Sequence, residues 1–333
     1  MMKKVQCAVI GIGGIGKWHG QMMQATGEMK VRAVCDANEE MRAVAKQEFP
    51  AATFYTSAEE MLKAEKLDLV GVITPHYLHA PLAIAALNAG ANVIVEKPFA
   101  TKYEDCLALL KAARKNKRFA TVFHNRRLDG WFLTAKSVLE TGLLGNVFEL
   151  NVAINFRPGP QTWRGWKEKC GGILFDWGAH LIDYALHLAA SEVETVAGFL
   201  WRSPDKDPAL NEDHGSVRIR FASGAVANVT VYATNQATPH RYHLLGDRGT
   251  LVDNWDGPEE MTVYTRLPGG EQGVMQVPYQ PTVPQLYYDN IAAHFRSGAP
   301  LAVTGESAAQ VINVLNTAER SSLQGGVPLP LAG

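Results

Sequence analysis

The chain has 333 residues, 47% hydrophobic and 20% charged, with a formal net charge of -1. That length buries a sizeable core and accommodates two domains, and the balanced charge gives no electrostatic reason to expect nucleic acid or an anionic membrane as a partner. Cys7, Cys35, Cys106 and Cys170 lack metal-ligand spacing and two of them fall in strand-like runs, so no disulfide and no metal is expected and a reducing, cytoplasmic compartment is the simpler reading.

Met1-Met2-Lys3-Lys4 leads directly into a β-rich run at 5–10, without the apolar segment and cleavage site of a leader. Glycines and a helix at 17–25 follow. The cycle repeats with strands at 31–35, 53–55, 67–72, 92–95 and 119–123, and with helical patterns at 39–49, 58–64, 79–89 and 102–116. This alternation predicts an α/β fold: a doubly wound, mostly parallel, Rossmann-like sheet over residues 1–124. Past residue 124 the alternation stops. A helix at 130–141, β-rich segments at 147–157, 193–202, 216–221, 225–232, 241–245 and 261–266, and a helix at 173–188 predict an α+β domain over 125–333 with a large, mostly antiparallel open sheet. The last helix, 306–322, is expected to pack back on the first domain. No run of about 18 uninterrupted apolar residues occurs, so no membrane span is expected. Antiparallel sheets with one apolar face often pair, which predicts a homodimer or homotetramer.

The chemistry-bearing residues cluster at a few places. Gly11-Ile12-Gly13-Gly14-Ile15-Gly16 fits G-x-G-x-x-G between the first strand and the first helix, where a dinucleotide pyrophosphate would meet the helix N-terminus. Asp36 ends the second strand, twenty residues after Gly16, suited to the ribose hydroxyls and repellent to a 2'-phosphate. No Arg directly follows it, so NAD(H) is favoured over NADP(H). Two other strand ends carry Thr74-Pro75-His76-Tyr77-Leu78-His79 and Glu96-Lys97-Pro98, on the edge where open α/β sheets bind ligands. Downstream, Asp176 and His180 stand four residues apart, one helical turn, with Asp183 three further on. Ordinary polar residues on an amphipathic helix would give the same spacing. Asn155, Arg157, Trp163, Arg164 and Trp166 are candidate pocket residues, because aromatic rings cover the C–H faces of sugars well.

Together, Gly11-x-Gly13-x-x-Gly16, Asp36, Thr74-Pro75-x-x-x-His79, Glu96-Lys97-Pro98 and Gly171-Gly172-x-x-x-Asp176-x-Gly178-x-His180-x-x-Asp183 resemble, in order and spacing, the glucose-fructose oxidoreductase / inositol dehydrogenase / MocA family. The resemblance extends to residues 124–129, including Arg127, to Trp163-Arg164, to Asp289-Asn290-Ile291 and to Val303-Thr304-Gly305-Glu306. One departure is His76, where the family usually has Asn. The resemblance implies an NAD(P)-dependent dehydrogenase acting on a secondary hydroxyl of a sugar, cyclitol or related small molecule, with Lys97, Asp176 and His180 as its catalytic group. It also implies cofactor contacts from Gly11 to Gly16 and at Asp36, Thr74, Pro75, His76, His79, Glu96, Lys97, Trp163 and Arg164. Substrate contacts would come from Lys97, Arg127, Asn155, Trp163, Asp176 and His180.

Oxidising a secondary alcohol requires a base for the hydroxyl proton and an acceptor for the electron pair. Imidazole, with an ordinary pKa of about 6.5, makes His180 the natural base. Asp176 can orient the ring or bind a neighbouring hydroxyl, and Lys97 can stabilise alkoxide charge. Three rivals use the same fold: a reductase of a keto-sugar, a redox-assisted glycosidase that turns over NAD without net NADH, and a non-catalytic NAD-sensing regulator. A pure sensor has no need of Lys97, Asp176 and His180.

Overall fold

The computed structural model describes residues 4–267 and 269–333. Its first part runs β1 (Val5–Ile10), α1 (Gly14–Ala25), β2 (Met29–Cys35), α2 (Met41–Glu48), β3 (Thr53–Tyr55), α3 (Ala58–Ala64), β4 (Leu69–Val72), α4 (His79–Asn88), β5 (Asn92–Val95), α5 (Tyr103–Asn116) and β6 (Ala120–Val122). Then come α6 (Gly130–Glu140), β7 (Val147–Asn155), α7 (Lys167–Cys170), α8 (Trp177–Ala189), β8 (Val193–Trp201), β9 (His214–Phe221), β10 (Val226–Tyr232) and β11 (His240–Gly246). β12 (Gly249–Asn254), β13 (Glu260–Arg266), β14 (Gln272–Pro278), α9 (Gln285–Ser297) and α10 (Gly305–Leu323) complete the order. Two compact units result: Met1–His124 with Pro284–Gln310, and Asn125–Val283 with Val311–Gly333.

In the first unit, β4, β5 and β6 are buried almost end to end, as strands covered on both faces must be. They form a parallel sheet in the order β3-β2-β1-β4-β5-β6, as the alternation predicts, with its reversal between β1 and β4. The register pairs Ile10 with Cys35 and Val72, and Val95 with Val72 and Val122. Register alone therefore aligns Gly11, Asp36, Ile73, Glu96 and Phe123 along one sheet edge. Residues 284–310 belong to this unit rather than to the one expected from 125 onward. The reason is apolar burial: α9 buries Tyr287, Tyr288, Ile291 and Ala292, Tyr287 packs edge-on against Phe123, and Thr121 donates to Val303 O at 2.7 Å.

In the second unit eight strands form one sheet in the order β14-β13-β12-β11-β7-β10-β9-β8. Only β7 and β10 pair in parallel, so the sheet is mostly antiparallel, as expected. β12 and β14 are unforeseen. β12 opens on Gly-Thr and ends on Asp-Asn, and the edge strand β14 exposes most of its side chains, so neither carries a strong alternating signal. The expected helix over 173–188 is also interrupted. After Gly171 and Gly172, both at positive φ, a 3-10 turn covers Ile173–Phe175, Asp176 leaves helical geometry (φ -87, ψ -83), and α8 begins only at Trp177.

The start of α10, through Gln310, belongs to the first unit, where Glu306 pairs with Arg114. From Val311 onward the helix belongs to the second unit, where a Cβ on Gly198 would stand 2.0 Å from Ala318 O and Ser321 Oγ accepts from Gly198 N. Glu319 on this helix faces the acidic side of a small charged cluster. Burial, helped by the charge of Glu212, raises its carboxyl from 4.5 to about 7, against the opposing pull of Lys167 and Asn316. The folded state therefore holds a proton that the unfolded chain releases, and stability falls as pH rises from 4.5 to about 7. Glu319→Gln is expected to stabilise the protein by about 1–3 kcal/mol at pH 8 and hardly at all near pH 4.5. Urea unfolding at both pH values checks this, and an equal effect at the two would show that burial does not hold that proton. Among the described residues no helix is long and apolar enough to cross a membrane.

Candidate functional site

The glycine loop of the first unit is shaped by close approaches. Gly11 sits at φ +90, and a Cβ there would lie 2.1 Å from Ile73 O; at Gly16 it would lie 1.8 Å from Gly11 O. Helix α1 is thus pressed against the loop, and β1 against the end of β4. Gly13 and Gly14 are different, since added Cβ atoms meet nothing within 4 Å. Gly13 precedes α1 with no side-chain cap, so the first N–H groups of the helix have no side-chain acceptor there and the space in front of them is open. Asp36 accepts Ile12 N–H and Asn38 N–H, each at 2.9 Å, one on either carboxylate oxygen. Thr74 Oγ1, at the end of β4, is buried without a hydrogen-bond partner. An open cradle, an aimed carboxylate and an orphaned hydroxyl fit a dinucleotide: Gly11 to Gly16 would hold its phosphates and Asp36 its ribose.

Several residues expected at the cofactor also make contacts within the protein. His79 is fully buried, with Nδ1 2.7 Å from Pro98 O and Nε2 2.8 Å from Thr74 O, so its ring joins the two strand-end loops. Burial pushes that ring below its ordinary pKa, against the pull of the two carbonyls. Glu96 also faces inward. Its Oε2 accepts Lys97 N–H at 2.7 Å and its Oε1 lies 3.2 Å from His19 Nε2. Burial alone would raise the Glu96 carboxyl, but the hydrogen bond from His19 and the charge of Lys97 outweigh it and hold it low. His76 is buried beside His79, with ring centroids 5.6 Å apart. The Lys97–Pro98 peptide is cis.

In the second unit Asp176 precedes α8 and His180 lies in its first turn, each 4% exposed. Arg164 Nε stands 3.1 Å from Asp176 Oδ2 while its guanidinium lies over the Trp163 ring at 4.3 Å. The Asp176 carboxylate is thus held in part by Arg164. Beside His180, 5.6 Å away, is the ring of Trp177, itself covered by the Arg126 guanidinium at 4.3 Å and met edge-on by Trp255 at 5.5 Å. Trp177, Arg126 and Trp255 were not singled out from sequence, where an isolated Trp or Arg reads as packing or surface.

Asp183 departs from the pair. Arg127 binds it through two parallel bonds, Nε to Oδ2 at 2.8 Å and Nη2 to Oδ1 at 2.6 Å. Arg127, expected at the substrate, holds this buried carboxylate through Nε and Nη2. Asn155, expected there too, donates to Ala237 O at 2.9 Å; Arg157 reaches Asn235 O, and Trp166 donates to Pro160 O, so these three tie loops together.

Residues 5–124 match the family model described as "Oxidoreductase family, NAD-binding Rossmann fold", and residues 132–252 the one described as "GFO/IDH/MocA C-terminal domain". The chain is similar to scyllo-inositol 2-dehydrogenase (NADP(+)) of Bacillus subtilis, 29% identical over an alignment that covers 96% of this chain and 95% of the relative. It is also similar to myo-inositol 2-dehydrogenase of Thermotoga maritima, 25% identical over 96% of each. Among solved structures, an NAD-binding protein from Listeria innocua superposes with a TM-score of 0.86 and 28% identity over 99% of this chain and 97% of that one. With both family models matched in order along one chain, this protein belongs to the GFO/IDH/MocA family of oxidoreductases, with an NAD-binding Rossmann domain.

Proposed function

We propose that the protein is an NAD-dependent dehydrogenase that oxidises a secondary hydroxyl of a cyclitol, sugar or glycoside, or reduces the corresponding ketone, with Lys97, Asp176 and His180 as its catalytic group. The observation that carries this reading is the Arg164-held carboxylate of Asp176 at the start of α8, with the buried imidazole of His180 four residues on. When bound, the nicotinamide supplies the two-electron acceptor. His180 takes the proton of the reacting hydroxyl as general base and returns it in the reverse direction. Asp176 accepts a hydrogen bond from a neighbouring hydroxyl, and Arg164 holds it in place. Lys97 donates to the reacting oxygen and stabilises its developing negative charge. The indole of Trp177 beside His180 suits the C–H face of a ring substrate. The names of the two inositol dehydrogenases support a polyhydroxylated ring as substrate.

Asp36 supports NAD(H) over NADP(H), although one of those relatives is named for NADP(+). Exposed Phe199 and Trp201 on β8 support a homodimer or homotetramer, and four buried thiols suit a reducing, cytoplasmic setting. A panel of inositols, free sugars and glycosides assayed with NAD and NADP tests the reading. NADH formation from at least one polyol, with NAD preferred, is the expected result. Aglycone release without net NADH would replace it by redox-assisted glycoside cleavage, and saturable NADH binding without turnover of any substrate would indicate a sensor.

A further inference from the structure

We infer that His19 is a positioning residue that couples the dinucleotide loop to Lys97 by holding Glu96; the inference rests on the proposed role of Lys97. All the groups concerned lie in the first unit. His19 is fully buried on the face of α1 that also buries Gly16, Gly20, Met22 and Met23. An imidazole in such a place is costly unless both nitrogens are satisfied, and an apolar side chain would pack there at less cost. Both nitrogens are satisfied. Nδ1 is 2.6 Å from the Tyr288 hydroxyl of α9, and Nε2 is 3.2 Å from Glu96 Oε1 just past β5. Phe123 closes the site, its ring centroid 4.3 Å from that of His19.

The donors and acceptors sort into one consistent chain. Glu96, kept ionised, can only accept, so Nε2 donates to it, which in a neutral ring leaves the lone pair on Nδ1. Tyr288, whose hydroxyl burial keeps protonated, donates to that lone pair. The second oxygen of Glu96 accepts the main-chain N–H of Lys97 at 2.7 Å. The line Tyr288 to His19 to Glu96 to Lys97 thus starts on α9, crosses α1 and ends at the backbone of the proposed catalytic lysine. Helix α1 is the same rigid element whose first turn forms the glycine cradle. A movement of that helix when the cradle is filled passes through His19 to the Glu96 carboxylate and so to the direction in which Lys97 points.

The test compares His19→Leu, which removes both bonds, with His19→Gln, whose amide nitrogen occupies the place of Nε2 and can still donate to Glu96. His19→Leu is expected to lower kcat about tenfold while the Kd for NADH changes less than about threefold. Without NADH, amide hydrogen exchange in the peptide ending at Lys97 should quicken about tenfold. His19→Gln is expected to restore most of both. Unchanged exchange at Lys97 in a folded His19→Leu protein overturns the coupling, as does failure of His19→Gln to restore either quantity. If His19→Leu does not fold, Tyr288→Phe serves, since losing the donor to Nδ1 frees the ring to turn its lone pair toward Glu96. Faster exchange at Lys97 in Tyr288→Phe supports the coupling, and unchanged exchange overturns it. Normal turnover in Lys97→Met would instead overturn the reading of Lys97, so the two failures are told apart.

Discussion

Replacing His180 by alanine is expected to lower turnover about a hundredfold or more, while NADH binding survives. A general base contributes through its presence in the transition state, so its removal appears in kcat and equally in kcat/KM. Binding of the dinucleotide should be spared, because the cradle of Gly11 to Gly16 and Asp36 belongs to the first unit and His180 to the second. Added imidazole should recover part of the rate, since the truncated side chain leaves room for a small base beside Trp177. Steady-state kinetics with and without imidazole, together with a fluorescence titration of NADH, checks all three statements. Near-normal turnover would remove His180 from the mechanism.

Arg127→Ala is expected to destabilise the protein by about 3–5 kcal/mol. The side chains of Arg127 and Asp183 are only 11% and 3% exposed, so removing the guanidinium takes a two-bond partner from a buried carboxylate. His187, with Nε2 3.8 Å from Asp183 Oδ1, is a poor replacement, because burial lowers its pKa and favours its neutral form. The double variant Arg127→Met with Asp183→Leu should lose much less, since both charges leave together. Urea unfolding of the single and double variants measures the difference. If Arg127→Ala instead left stability intact and raised KM, Arg127 would return to the substrate.

The fold and part of the candidate site were legible for a local reason. G-x-G-x-x-G, the acidic end of the second strand and the Glu-Lys-Pro after the fifth are short segments whose meaning depends on strand order. In a doubly wound sheet they all reach the same edge. The Asp176/His180 spacing was legible too, though for a different geometry from the helix expected, since Asp176 lies just outside α8. What escaped were partners distant in the chain. Arg127 and Asp183 are 56 residues apart, Arg164 and Asp176 twelve, and His19 and Tyr288 269. No periodicity reports such pairs.

The sequence by itself determined the parallel sheet, the glycine turn and the carboxylate that ends the second strand, because glycine sterics, hydrophobic period and chain order act over a few residues. Only the tertiary structure decided which polar side chains are spent on the protein itself. It paired His79 with main-chain carbonyls, Glu96 with His19 and the Lys97 N–H, and Arg127 with Asp183, and it placed residues 284–310 in the first unit. The physical reason is common to all of them. A buried charge or ring nitrogen must find a partner, and which partner is near enough is settled by packing, not by spacing along the chain.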